Sequence, residues 1–289
     1  MPFSVQIGLL LALATAFASV VGFLYKHRGA VESPPVEWRR PIRTSLWLLR
    51  SRWYVLGLGI ATVSWGLHVA ALSLAPISLV QSVIAGGLVL LTVVADRLFG
   101  FRVTRREWIG VALTALGLAF LAATLEGTAG SEHSDYDAGT LAAYVGVMCG
   151  CGLAVAALGW GRRGGGLALA VAAGLLWAGS DVSIKALSAS IDSGLAVLLH
   201  PLAAVIALAS LVGLVLSARS LQDGRAVPVI AATSAAANLF TIASGPVVFG
   251  EPLPQDTLGL SLRLLAFALV IVACALTPAP VRAAAAEPA

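Results

Sequence analysis

The 289-residue chain has little charge: 11% of its residues are Asp, Glu, Lys or Arg, whereas 59% are hydrophobic. Soluble globular domains carry roughly 25% charged residues, so this chain has too few to cover a surface that faces water. That scarcity excludes an ordinary soluble enzyme and a disordered protein. Three cysteines are too few for a domain built on disulfides. The class that remains is an all-α polytopic membrane protein.

Long apolar stretches take the place of the missing charge. A membrane-spanning helix needs about 20 mostly apolar residues, and no period-two alternation favours a β-barrel. We therefore predict nine transmembrane helices, numbered as spans one to nine: Phe3–Tyr25, Trp53–Ser73, Ser78–Ala95, Glu107–Leu125, Gly139–Trp160, Leu167–Leu187, Gly194–Ser217, Val227–Val247 and Leu258–Leu276. We expect the first to be a retained span, because Met1–Gln6 lacks the basic residue of a signal peptide.

The basic residues indicate which side each loop faces. With nine spans, all of the 18 Lys and Arg residues except Lys185 and Arg263 lie on one side, most densely in the loop 26–52. The positive-inside rule then predicts an external N-terminus and a cytoplasmic C-terminus. Such a one-sided distribution favours the lipid bilayer, and not nucleic acid, as the partner of the basic residues. The excess of Arg over Lys, together with many Ala residues, favours a bacterial plasma (inner) membrane.

Corresponding spans in the two halves of the chain begin and end with similar residues. Span four opens with Glu107–Gly110 and span nine opens with Asp256–Gly259; spans one and six each end in a lysine, Lys26 and Lys185. An acidic residue suits a helix N-terminus, and glycine lets a neighbouring helix approach. Because spans one and six run in opposite directions, we predict two inverted four-helix repeats, a design that recurs in secondary transporters.

The predicted organisation has four parts. A first repeat covers 1–125 and includes a basic cytoplasmic loop at 26–52. An acidic external loop and the connector, span five, cover 126–166. The second, inverted repeat covers 167–276, and a cytoplasmic tail covers 277–289. Gly146 and Gly150 in the connector form a GxxxG pattern, which leaves a homodimer open.

Short motifs in both repeats carry a resemblance to a known family. They are Ile7–Leu10, Ala75–Gln81, Glu107–Gly110 with Gly117, Ser183–Ala186, Ala226–Ile230 and Phe249–Leu253. These segments resemble the drug/metabolite transporter superfamily, the EamA-like permeases, and are most similar to its NIPA-type branch. The resemblance implies a membrane transporter of small solutes, and the NIPA-type branch implies magnesium transport. Gln81 departs from that branch, which commonly has proline there.

Polar side chains inside spans are costly and commonly line a cavity or bind a partner. Most of those in this chain fall at a similar depth, from the middle to the outer part of the spans. The candidate residues of a solute or ion pathway are Trp65, His68, Gln81, Trp177, Asp181, Lys185, His200, Asn238, Thr241 and Arg263.

The roles expected for these residues follow from their chemistry. Asp181 is the only acid well inside a span, so we expect it to couple transport to a proton or cation. Lys185, Arg263 and the histidines would select an anionic or zwitterionic group, and Trp65 and Trp177 would line the path. Structural readings stay open: Asp181 and Lys185 as an i,i+4 pair, the histidines as packing residues, and Asn238 as an interhelical hydrogen bond. Gln81 is also open as a cap for the backbone freed near Pro76, and Arg263 as a residue that snorkels to the headgroups.

Three functions are compatible with the sequence. The first is a small-solute transporter that works by alternating access, with proton coupling left open. The second is a magnesium or divalent-cation transporter in which Asp181 is a metal ligand, although Lys185 and Arg263 argue against a dication. The third is a non-transporting membrane or lipid-handling accessory protein. We expect no enzymatic activity and no cofactor, because the sequence contains no nucleophile–base set and no zinc motif.

Overall fold

The computed structural model of the chain describes residues 3–37, 40–86, 101–102, 105, 109, 136–162, 164–188, 197–224, 226–252, 256–276 and 281–282. Within these ranges the chain is helical, apart from two short strands. The helices are α1 (Phe3–Val31), α2 (Pro41–Leu48), α3 (Arg52–Leu74), α4 (Ile77–Ala85), α5 (Ala138–Gly159), α6 (Gly166–Ser188), α7 (Pro201–Asp223), α8 (Ala226–Val248) and α9 (Thr257–Leu276). The strands β1 (Phe101–Arg102) and β2 (Val281–Arg282) pair antiparallel.

Five of the described helices, α1, α3, α5, α6 and α7, are long and apolar enough to cross a membrane. This supports the membrane class and five of the predicted spans by length and composition. Helix α4 begins one residue before span three and covers its first part, and α8 and α9 coincide with spans eight and nine to within one residue. Span four lies outside the described residues, apart from the isolated position Ile109.

Several boundaries differ from the prediction. Helix α1 continues beyond Tyr25 to Val31, because nothing between Lys26 and Val31 breaks a helix. Helix α7 begins at Pro201, later than the predicted Gly194, because proline suits the first turn of a helix and His200 caps it. The basic loop contains an additional short helix, α2, with proline at its start.

Helix α6 is the central helix of the described bundle. It packs against α5, α7 and α8. Of the residues in its most apolar 18-residue segment, 72% are buried, whereas the corresponding fraction is 28% in α3, α5 and α7. Two apolar clusters lie toward opposite ends of α1, one around Val20 and Leu24 and the other around Val5 and Ala12.

Helices α1 and α3 touch through their backbones. A Cβ added at Gly29 would lie 2.4 Å from the Tyr54 backbone nitrogen, and one at Gly57 would lie 2.6 Å from the Lys26 backbone nitrogen. Only glycine fits at such contacts, as is common where helices pack closely in membranes.

The turn between α3 and α4 is set by Pro76. The residue before a proline is pushed out of the helical region, and Ala75 is accordingly extended, with φ −144° and ψ 157°. Helix α4 then begins directly after the proline. This break leaves the last carbonyl groups of α3 and the first N–H groups of α4 without partners in their own helices.

Acidic residues cap the first turns of two helices. The Asp256 carboxylate accepts a hydrogen bond from the Gly259 backbone N–H at 2.7 Å, which confirms the expected placement of an acid at the start of span nine. Asp137 accepts from the Thr140 backbone N–H at 2.7 Å and from its hydroxyl at 3.0 Å. These hydrogen bonds hold the pKa of the Asp137 carboxyl below its ordinary value.

Candidate functional site

Asp181 of α6 contacts two polar side chains from other helices. Its Oδ1 lies 3.1 Å from Nε2 of His68 on α3, and its Oδ2 accepts a hydrogen bond from the Gln81 amide on α4 at 3.1 Å. The Gln81 amide nitrogen also lies 3.4 Å from His68 Nε2. We call these three residues the acid cluster. Of the ten sequence-predicted pathway residues, these are the ones that the structure joins by direct polar contacts.

The acid cluster is shielded from water but not sealed. Gln81 is 2% exposed and His68 is 7% exposed, whereas the Asp181 side chain is 17% exposed. The carboxylate is therefore the most accessible member of the cluster. In such surroundings an ionic contact is much less screened than at a surface.

The contacts determine the role of each His68 nitrogen. An ionised carboxylate is only an acceptor, so the Nε2–H of His68 donates to Asp181. In the neutral ring, Nδ1 is then the unprotonated nitrogen, and it is buried without a hydrogen-bond partner among the described residues. The acid cluster thus contains a buried ring nitrogen that no other described residue contacts by a hydrogen bond.

Lys185 does not pair with Asp181, although the two residues lie one turn apart on α6. Its Nζ donates to the backbone carbonyls of Leu72 at 3.0 Å and of Ala75 at 3.1 Å, which are the last acceptors of α3. The structural reading of Asp181 and Lys185 as an i,i+4 ion pair is therefore wrong. A cation is favourable at a helix C-terminus, where the dipole is negative.

Glu251 stabilises the other side of the same break. Its carboxylate accepts from the Ser78 backbone N–H at 3.4 Å and from the Ser78 hydroxyl, at the first turn of α4. Glu251 is 2% exposed and follows α8. Lys185 and Glu251 are also close enough for an attractive electrostatic interaction. We call the contacts of these two residues with the α3–α4 turn the turn clamp.

The other pathway candidates lie apart from the acid cluster or without direct contacts to it. Trp65 is 49% exposed on α3. His200 caps α7 by accepting from the Leu202 N–H at 3.2 Å. Asn238 and Thr241 are buried on α8, and Thr241 Oγ1 has no partner within the described ranges. Arg263 belongs to α9, but its side chain lies outside the described residues.

Trp177 is joined to a residue that the sequence analysis used only as a repeat marker. The Trp177 ring lies 5.8 Å from the Phe23 ring and 5.8 Å from Nζ of Lys26. The sequence did contain a signal at Lys26, because a charged residue that directly follows a long apolar stretch lies at the end of a span. The side to which a lysine at a span end points cannot be read from hydropathy, since it depends on the neighbouring helices.

Metal ligands are sparse in the part of the chain that the structure describes. Within those ranges no group of three or more His, Cys, Asp or Glu residues is placed to hold a metal ion. Comparison of the chain with models of protein families, with curated proteins and with solved structures finds no match. The function is therefore argued from the acid cluster and the turn clamp.

Proposed function

We propose that this protein is a membrane transporter that moves a small solute across a bacterial plasma membrane by alternating access. The observation that carries the proposal is the acid cluster. A carboxylate, an imidazole and an amide from three helices meet inside an apolar bundle. Ionisable groups at such depth are costly and are typical of solute pathways and proton relays.

The acid cluster joins the two predicted repeats. His68 and Gln81 belong to the first and Asp181 to the second, and the turn clamp also connects the second repeat to the first. Contacts between inverted halves are where secondary transporters place their binding sites. The resemblance to EamA-like permeases points to the same mechanism. We propose nine spans in two inverted repeats, with an external N-terminus and a cytoplasmic C-terminus.

Proton coupling follows from the same contacts. A proton on His68 Nδ1 or on Asp181 changes the net charge of the acid cluster by one. A solute that bears a positive or hydrogen-bonding group competes with that proton for the Asp181 carboxylate. This competition is the simplest way for the cluster to exchange a proton for a solute during each transport cycle.

Reconstituted protein tests this function. Flux of radiolabelled amino acids, carboxylic acids, amines and magnesium into proteoliposomes is measured under an imposed proton gradient. We expect saturable flux of an organic solute, reduced at least about tenfold by Asp181→Asn. The matched control is Asp256→Asn, the same chemical change at an exposed helix cap where Asn is as good as Asp, and its flux should equal that of wild type.

Other outcomes would contradict the proposal. Full flux in Asp181→Asn would remove the acid cluster from the mechanism. Saturable magnesium uptake that Asp181→Asn abolishes, without flux of any organic solute, would assign the protein to the divalent-cation alternative. No flux of any compound by folded wild-type protein would favour a non-transporting role, with the polar contacts as structural links between helices.

A further inference from the structure

The chain contains two lysines, and both are buried. Lys26 on α1 and Lys185 on α6 are each 4% exposed. Their surroundings nevertheless differ. Lys185 donates to two backbone carbonyls as part of the turn clamp, whereas no acceptor or carboxylate binds Nζ of Lys26 anywhere in the described ranges. The contacts of that ammonium group are the rings of Phe23, at 4.1 Å, and of Trp177, at 5.8 Å.

The ammonium group of Lys26 has more hydrogen-bond donors than the described residues around it have acceptors. It has three hydrogen-bond donors, and the faces of two aromatic rings attract the charge without accepting conventional hydrogen bonds. Burial of a cation without a counter-ion is costly. The indole nitrogen of Trp177 is packed against Gly213 of α7, where an added Cβ would lie 2.5 Å from it. The ammonium group therefore lies over the ring of Trp177, and neither ring supplies a conventional acceptor.

The helices around Lys26 direct its side chain inward. Gly57 of α3 leaves the space that the lysine occupies, since a Cβ there would lie 2.9 Å from Lys26 Cγ. The side chain therefore passes α3 and reaches Trp177 on the central helix α6. Trp177 precedes Asp181 by one helical turn on the same face, a rise of about 6 Å. The acid cluster and Lys26 thus both lie near the face of α6 that carries Trp177 and Asp181.

We propose that Lys26, whose ammonium group lies beside the rings of Phe23 and Trp177, binds the anionic group, a carboxylate or a phosphate, of the transported solute. This proposal rests on the proposed function and specifies its substrate class. The ammonium group supplies the counter-charge and up to three hydrogen-bond donors. One solute would then bind at both charged residues, with its anionic group at Lys26 and a cationic or hydrogen-bond-donating group at Asp181. Lys185 is not available for this role, because its donors are used at the α3–α4 turn.

The small number of lysines makes a direct binding measurement possible. Full-length protein that carries ¹⁵N- and ¹³C-labelled lysine gives two lysine side-chain NMR signals, and Lys26→Met assigns them by removing one. The probes are acetate and inorganic phosphate, each titrated into protein in phosphatidylcholine nanodiscs. We expect a saturable shift of the Lys26 signal with at least one probe and no shift of the Lys185 signal, which is the built-in control.

Three results would overturn the proposal. The first is a Lys26 signal that neither probe moves. The second is an equal shift of both lysine signals, or a shift that sodium chloride reproduces at the same ionic strength, since either marks general screening. The third is a Lys26 signal that has already shifted in phosphatidylglycerol nanodiscs without a probe, because the anion would then be a lipid headgroup.

Transport by variants separates this inference from the proposed function. Lys26→Met should raise the KM for an anionic or zwitterionic solute about tenfold or more, which is the scale of a lost charged hydrogen bond, and Lys26→Arg should restore part of the affinity. Loss of flux in Asp181→Asn with an unchanged KM in Lys26→Met would leave the transporter proposal intact and contradict the anion site. Absent flux in wild type together with a saturable Lys26 shift would contradict the transporter proposal alone.

Discussion

Lys185 and Glu251 bind the same turn of the chain from two different elements. Lys185 caps the carboxyl end of α3, and Glu251 caps the amino end of α4. Each charge therefore meets the helix dipole of opposite sign, and the two charges attract each other. Both side chains are nearly inaccessible to water. The break at Pro76 is thus stabilised by two buried charges that come from the other half of the protein.

Removal of the lysine should destabilise the protein. Lys185→Met loses two charged hydrogen bonds to Leu72 and Ala75 and leaves the Glu251 carboxylate without its nearest cation. We expect a loss of about 3 kcal/mol in the free energy of unfolding, the scale for one partner removed from a buried charge pair. Unfolding in mixed micelles with increasing dodecyl sulfate measures this loss. Arg28→Gln, which removes an exposed charge, should change stability by less than about 1 kcal/mol. Equal stability of Lys185→Met and wild type would refute the clamp.

The contact of Ser78 with Glu251 should appear as an energetic coupling. Ser78→Ala and Glu251→Ala each remove one side of the same hydrogen bonds, so the double variant should be less destabilised than the two singles predict. We expect a coupling free energy of about 1–3 kcal/mol in a double-mutant cycle. The control cycle pairs Ser78→Ala with Asp256→Ala, because the Asp256 carboxylate accepts from Gly259 and shares no hydrogen bond with Ser78 among the described residues. Additive effects in the first cycle would show that the two side chains do not interact.

The backbone contact between α1 and α3 gives a steric prediction with internal controls. Gly29→Ala and Gly57→Ala each place a methyl group against backbone atoms of the neighbouring helix, at 2.4 Å and 2.6 Å. We expect each to cost about 1–3 kcal/mol of stability, the usual range for overpacking. Gly59 and Gly66 lie on the same helix as Gly57 with nothing within 4 Å of an added Cβ.

Alanine at those two open positions should therefore be neutral or stabilising by up to about 1 kcal/mol, because it favours the helix. The same detergent unfolding assay compares all four variants. A loss at Gly59 or Gly66 as large as that at Gly57 would contradict the packing of α1 against α3.

The cap at the start of α5 predicts a specific pH dependence. The hydrogen bonds from Thr140 lower the pKa of Asp137 below its ordinary 3.8. Because the folded pKa is below the unfolded one, the stabilisation is complete above 3.8 and is lost as the pH falls through the folded pKa. Asp137→Asn keeps a neutral cap that does not titrate in this range.

The difference in unfolding temperature between wild type and Asp137→Asn should therefore be constant from about pH 7 to pH 5 and should change below pH 4, where wild type loses stability. Thermal unfolding across this range checks it. A difference that varies between pH 7 and pH 5, or that stays constant down to pH 2, would show that the carboxylate does not act as this cap.

Sequence reasoning located most helices because their apolar content is a property of each segment alone. The turn at Pro76 and the cap at Asp256 were also readable, since proline and aspartate act on their own backbone neighbourhood. The later start of α7 was missed, because an apolar residue before a helix has the same hydropathy as one inside it. Helix α2 was missed because its eight residues lie in a charged loop.

Only part of the acid cluster could be predicted from the sequence. Depth in the membrane is inferred from sequence position, and on that basis the sequence analysis placed His68, Gln81 and Asp181 among other polar residues at a similar level; the structure joins these three by direct contacts. Depth does not determine which way each helix face points, and this is set by packing around α6. For the same reason Lys185 was expected in the pathway but binds backbone carbonyls, since its partners depend on where a distant helix ends.

The glycine contacts of α1 and α3 also have a mechanical consequence. Two helices whose backbones touch at Gly29 and Gly57 cannot slide or rotate against each other without a steric clash. We therefore expect α1 and α3 to move as one rigid unit. In the proposed transport cycle, movement would therefore take place at helix contacts that side chains and not backbones form.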